Sequence, residues 1–136
     1  MSKPITPEMI AASGSEDGHQ MAIMLWCRLN YDKYPELKWL THIPNGGSRH
    51  KSEAAKLKAM GVSPGFPDLF LPIKRGRYAG LFIELKRPNS MGKKAGKSSA
   101  EQIAWRDHLY SQGYGAIECV GWEHAVSILK EYLGWN

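Results

Sequence analysis

The run Gly80-Leu81-Phe82-Ile83-Glu84-Leu85-Lys86 reads as a β-strand in which two opposite charges interrupt an otherwise apolar sequence. Successive side chains on a strand point to opposite faces, so Glu84 and Lys86 share one face while Leu81, Ile83 and Leu85 share the other. Burying a carboxylate and an ammonium in a sheet is costly unless they are paired or bind an ion. A second carboxylate, Asp68, follows Pro67 and opens the preceding strand. A divalent metal is the simplest species that would gather these groups at one place.

Size and charge permit that reading. A chain of 136 residues is long enough for one domain with a real core and too short for two comfortable ones. Residues 1–14, with Pro4, Pro7 and Gly14, read as a flexible lead-in, and 15–136 as a single domain. Eighteen Lys and Arg against thirteen Asp and Glu give a net charge of +5, which favours a polyanionic partner such as nucleic acid. Cys27 and Cys119 are too few and too far apart for a zinc cluster and read as reduced core thiols. The five His residues lack metal-ligand spacing. No apolar stretch approaches the roughly 20 residues of a membrane span and no signal-peptide core is present, so an intracellular, cytoplasmic protein is expected.

Along the chain, Ser15 is placed to cap a helix reaching about Leu29, with Glu16, Gln20, Ile23 and Cys27 on one face. Trp39 to Ile43 reads as a strand stopped by Pro44-Asn45-Gly46-Gly47. Ser52 is the expected cap of a short basic helix, Glu53 to Met60, ended by Gly61. Asp68 to Leu71 and Tyr78 to Lys86 form an antiparallel hairpin through the turn Lys74-Arg75-Gly76-Arg77. Lys93, Lys94 and Lys97 lie in a mobile cationic loop. Ser98 with Glu101, or Ser99 with Gln102, fits a capping box for a helix ending at Gly113. A strand over Ala116 to Val120 follows, and Ala125, Ile128, Leu129 and Tyr132 form the inward stripe of a last helix. The expected fold is α/β, a mixed central sheet flanked by helices.

Hard ions such as Mg²⁺ or Mn²⁺ take carboxylate and carbonyl oxygens and commonly engage one or two protein carboxylates. Asp68 and Glu84 fit that need, with the Leu85 carbonyl between Glu84 and Lys86. Lys86 is placed to position or deprotonate an attacking water, Glu16 to complete the metal site, and Gln20 and Gln102 to position waters or a phosphate. Asn45, Gly46 and Gly47, followed by Arg49 and Lys51, can lay backbone amides and cations along a nucleic-acid backbone. Taken singly, Lys93, Lys94 and Lys97 read as a solvated loop, with contact to the nucleic-acid backbone as the other reading. An isolated Glu-x-Lys is likewise more often a solvated ion pair, and it is the conjunction with Asp68 that turns the reading toward phosphodiester hydrolysis.

These residues resemble the virus-type replication-repair nuclease (VRR-NUC) domain of the PD-(D/E)XK nuclease superfamily. The resemblance spans about Ser15 to Leu133 and rests on six ordered blocks: Glu16 with Gln20, Ile43 to Arg49, Lys56 to Val62, Gly65-Phe66-Pro67-Asp68-Leu69, Leu81 to Lys86, and Gln102 before Trp105 and Leu109. It implies a restriction-endonuclease-like core and a metal-dependent nuclease with Asp68, Glu84 and Lys86 catalytic, Glu16 as the acid of the first helix and Gln102 supporting. Stand-alone members are small, often viral, and similar to homodimeric junction-resolving enzymes, which implies branched DNA such as a four-way junction as substrate. No small-molecule cofactor is expected. The competing expectations are a nicking or restriction-like nuclease on plain duplex, and a non-catalytic basic DNA-binding module on the same fold.

Overall fold

In the computed structural model, which describes residues 3–44, 51–89 and 96–134 and only the backbone of Lys51, four strands form one mixed sheet in the order β1-β2-β3-β4. The strands are β1 (Thr41–His42), β2 (Leu69–Leu71), β3 (Leu81–Lys86) and β4 (Gly115–Val120). β2 and β3 pair antiparallel, as the hairpin reading expects, and β1 pairs antiparallel with β2. β3 and β4 run parallel, with Glu84 opposite Glu118. A parallel pair needs a crossover, and α4 (Ala100–Ser111) supplies it.

All six residues of β3 are buried, but its two faces meet different partners. Leu81, Ile83 and Leu85 join Leu69 and Leu71 in an aliphatic core. That core is closed by α2 (Glu16–Leu29) through Ala22, Ile23 and Cys27, and by α5 (Trp122–Leu133) through Ala125, Leu129 and Tyr132. On the opposite face Phe82 stacks on Phe70, its cross-strand partner, with ring centroids 4.2 Å apart. Phe66 bridges Phe82 to Trp105 of α4 by two edge-on contacts. The aromatic layer ends where Glu84 and Lys86 begin, so these charged groups lie at one end of the sheet. Cys27 and Cys119 are buried and free, and burial pushes both thiols up to about 12.

Several boundaries differ from the sequence reading. The lead-in contains a helix, α1 (Pro7–Ala11), capped by Thr6 and packed on α2, where Gly18 allows close approach. A Cβ at Gly18 would sit 3.0 Å from the Ile10 carbonyl oxygen. Pro35–Trp39 forms a 3₁₀ helix and only Thr41–His42 is strand. The basic helix α3 runs Lys51–Ala59, so Ser52 lies inside it rather than at its cap. Of the two capping boxes offered, Ser99 with Gln102 is formed. Trp122 is buried in the core, with His19 Nδ1 accepting from its backbone N–H at 3.0 Å.

Candidate active site

Asp68 is fixed from three sides. Pro67 is fully buried, the Asp68 carbonyl accepts from the Ile43 N–H at 2.7 Å, and its carboxylate Oδ2 accepts from the Leu85 N–H at 2.7 Å. Because β2 stops at Leu69, Leu85 has no strand partner on that side, and Asp68 takes the ladder position with its side chain. A strand residue directs its N–H and C=O toward the same neighbour, so the Leu85 carbonyl faces this gap as well.

Glu84 is 2% exposed and Lys86 7% exposed. The Glu84 carboxyl is pushed up to about 9, first by burial, then by a hydrogen bond and charge repulsion from Asp68, with Lys86 pulling the other way. Its Oε1 is buried without a hydrogen-bond partner. Glu16, in the first turn of α2, remains open to solvent, yet its carboxyl is also raised, by burial and then by Asp68, while Lys86 opposes the rise. Three acids and one ammonium therefore feel one another at the end of the sheet.

Gln102 connects Lys86 to the start of α4. Its Oε1 accepts from Lys86 Nζ at 2.8 Å and from the Ser99 N–H at 2.8 Å, so one amide oxygen both caps the helix and holds the ammonium. The capping box thus has a second use that a capping pattern cannot announce. Ser98 anchors the same corner, donating to Glu118 and accepting from Arg106 at 2.8 Å. Gly65, at φ +88°, packs its Cα against the backbone of Glu101 and Gln102; a Cβ there would lie 2.6 Å from the Glu101 carbonyl carbon. Gly65→Ala is expected to cost at least about 1–2 kcal/mol from backbone conformation alone, and more from pushing α4 away. Thermal denaturation reads the first effect, and loss of turnover exceeding loss of DNA affinity reads the displacement of Gln102 from Lys86.

The site unites Asp68, Glu84, Leu85, Lys86 and Gln102, with Glu16 in electrostatic reach. Gln20, one helical turn beyond Glu16, is half-buried with its Nε2 unpartnered. Gly96 approaches Lys86, 3.4 Å separating a built Cβ from Lys86 Cδ, so the neighbouring exposed Lys97 lies beside the site. Asn45, Gly46, Gly47, Arg49, Lys93 and Lys94, and the Lys51 side chain, lie outside what is described. The turn Lys74–Arg77 sits at the other end of the hairpin; there Arg75 pairs with Glu36 and Arg77 lies over Tyr78 and Tyr110. Arg87, next to the Glu-x-Lys motif, is half-buried with its Nη1 unpartnered, a position that the sequence reading does not single out.

A hard cation fits this donor set. Among the described residues no group of three or more His, Cys, Asp or Glu is set to hold a metal ion, so an ion here would rest on Asp68, Glu84, the Leu85 carbonyl and water, which suits Mg²⁺ or Mn²⁺. The orphaned Glu84 Oε1 is the group such an ion would satisfy.

A mixed four-stranded sheet flanked by helices, with a Pro-Asp and a Glu-x-Lys meeting at its end, defines the restriction-endonuclease-like α/β class. The chain belongs to the VRR-NUC family, a nuclease-type domain: the family model of the VRR-NUC domain matches residues 14–122. Among solved structures it is similar to a VRR_NUC domain protein, at 30% identity and a TM-score of 0.72, covering 99% of this chain and 93% of that one. No curated protein matches the chain. Among the described residues no helix is long and apolar enough to cross a membrane.

Proposed function

We propose that the protein is a Mg²⁺- or Mn²⁺-dependent DNA endonuclease that hydrolyses phosphodiesters in branched DNA such as four-way junctions. The observation that carries the proposal is the buried Glu84 carboxyl, its Oε1 unpartnered and its proton held by burial and by the neighbouring Asp68, beside an ammonium held by Gln102. Asp68 and Glu84 supply the oxygens for the ion, with Glu16 completing the acidic edge. A bound divalent ion offsets charge at the phosphodiester and makes water a better nucleophile at neutral pH. Lys86 orients the attacking water or takes its proton, its Nζ held in place by the Gln102 amide oxygen.

One 15.2 kDa domain offers one such site, so symmetric cleavage of a four-way junction requires a homodimer with two sites across a two-fold axis. Trp39 and Tyr110 are 67% and 51% exposed and supply contact surface, whereas Trp122 is core. Light scattering at micromolar concentration and cleavage of junction, flap, single-stranded and linear DNA side by side test the proposal. A dimer that prefers the junction supports it. A stable monomer that cuts junction and linear duplex equally leaves a nicking nuclease, and DNA binding without cleavage leaves a non-catalytic module.

Binding measured with chelator should weaken steeply with salt, because lysines that neutralise phosphates release counterions. Neutralising Lys93, Lys94 and Lys97 together is expected to lower the slope of log affinity against log salt by about 0.9 for each phosphate that is no longer neutralised. An unchanged slope would remove this loop from the interface. Arg75 and Arg77, engaged within the protein at the far end of the hairpin, should contribute little to that slope.

A further inference from the structure

Arg87 follows directly on β3, half-buried, with its Nη1 enclosed and without a hydrogen-bond partner. No ion pair with a described residue holds it; the pair formed at the surface joins Arg75 to Glu36. A guanidinium nitrogen enclosed without a hydrogen-bond partner is costly, and its position needs a cause. Arg87 is close enough to Glu16 to oppose the rise of that carboxyl. Gln20 lies on the same face of α2, one turn beyond Glu16, and its Nε2 is also buried without a partner. Two unsatisfied donors, one of them cationic, thus flank the acidic edge on the α2 side. Lys86 and Gln102 occupy the α4 side.

We infer that Arg87, assisted by Gln20, forms an oxyanion subsite that takes the non-bridging oxygens of a backbone phosphate beside the Asp68–Glu84 pair. The chemistry matches the ligand: a planar fork presents paired N–H groups to phosphate oxygens, and an amide N–H₂ adds a neutral donor. The inference rests on the nuclease reading only for the identity of the polyanion.

The test is fluorescence anisotropy of a labelled linear duplex, with chelator, across a salt series, beside cleavage of the same duplex and a four-way junction with Mn²⁺. Arg87→Ala is expected to weaken binding about tenfold or more at low salt and to reduce the log–log salt slope by about one. Arg87→Lys should keep the slope and recover only part of the affinity, since a point charge cannot replace the fork. Gln20→Ala should weaken binding less and leave the slope alone. If the Arg87→Ala variant does not fold, Arg87→Gln decides with the same readout. Wild-type affinity and slope in the charge-removed variant would overturn the subsite, whether or not the protein cuts DNA. Absence of cleavage with Arg87-dependent binding intact would overturn the nuclease reading and leave the subsite standing. A wild-type protein that does not bind the duplex would overturn both.

Discussion

Glu84→Gln is expected to abolish DNA cleavage and, without added metal at pH 7, to make the protein more stable than the wild type by roughly 1–3 kcal/mol. The two effects have one origin. Glu84 is buried against Asp68, and its carboxyl is raised from 4.5 to about 9. A group whose folded value is raised contributes stability that is fully present below its unfolded value and is lost as pH rises through the folded one. The metal-free protein should therefore lose stability between about pH 4.5 and 9, and the amide, which carries no charge, should remove that slope. His19 acts with the opposite sign, because burial lowers it from 6.5 and its contribution is lost as pH falls below that value. Thermal denaturation across pH, with chelator, separates the two. Equal pH profiles for wild type and Glu84→Gln would mean that the carboxyl is not desolvated as described.

Lys86→Ala should reduce turnover by about 10²–10⁴-fold, the range expected for a positioned proton-transfer group, while DNA affinity changes little. Lys86 is 7% exposed and its Nζ is bonded to Gln102 Oε1, so its charge is directed inward, toward the acids, and not along the outer surface. Lys86→Arg should not restore the rate, because a broad fork with a fixed charge cannot fill the place of a compact ammonium. Single-turnover cleavage and anisotropy binding give the two quantities separately. An equal loss in both would assign Lys86 to phosphate anchoring.

The alternation of Leu81, Ile83 and Leu85 with Glu84 and Lys86 made β3 and its two faces legible, since a period of two needs no tertiary information. Ser15 and Gly61 marked a helix start and a helix end by local chemistry alone. The first helix escaped because Pro7–Ala11 is five residues long, too short for a period, and its place depends on packing against Gly18. Strand β1 shrank to two residues because Trp39 is taken up by the 3₁₀ helix Pro35–Trp39 and Leu40 caps it. At the site, Asp68, Glu84 and Lys86 could be gathered from sequence because each breaks an apolar or rigid context. The hydrogen bond from the Leu85 N–H to Asp68 and the double use of Gln102 Oε1 arise only when β3 and α4 are brought together. Arg87 was illegible for the same reason: a charge after a strand is ordinary until the fold encloses its Nη1 without a partner.

The most direct test is cleavage of a labelled four-way junction by wild type, Asp68→Ala and Glu84→Gln, each with Mn²⁺ or Mg²⁺ and each with excess chelator, with folding checked by circular dichroism. Cleavage by the wild type with metal alone, absent in both folded variants and in chelator, is the expected result. Cleavage that persists in chelator, or in a folded variant lacking either carboxylate, would contradict the assignment of metal-dependent hydrolysis to the Asp68–Glu84 pair.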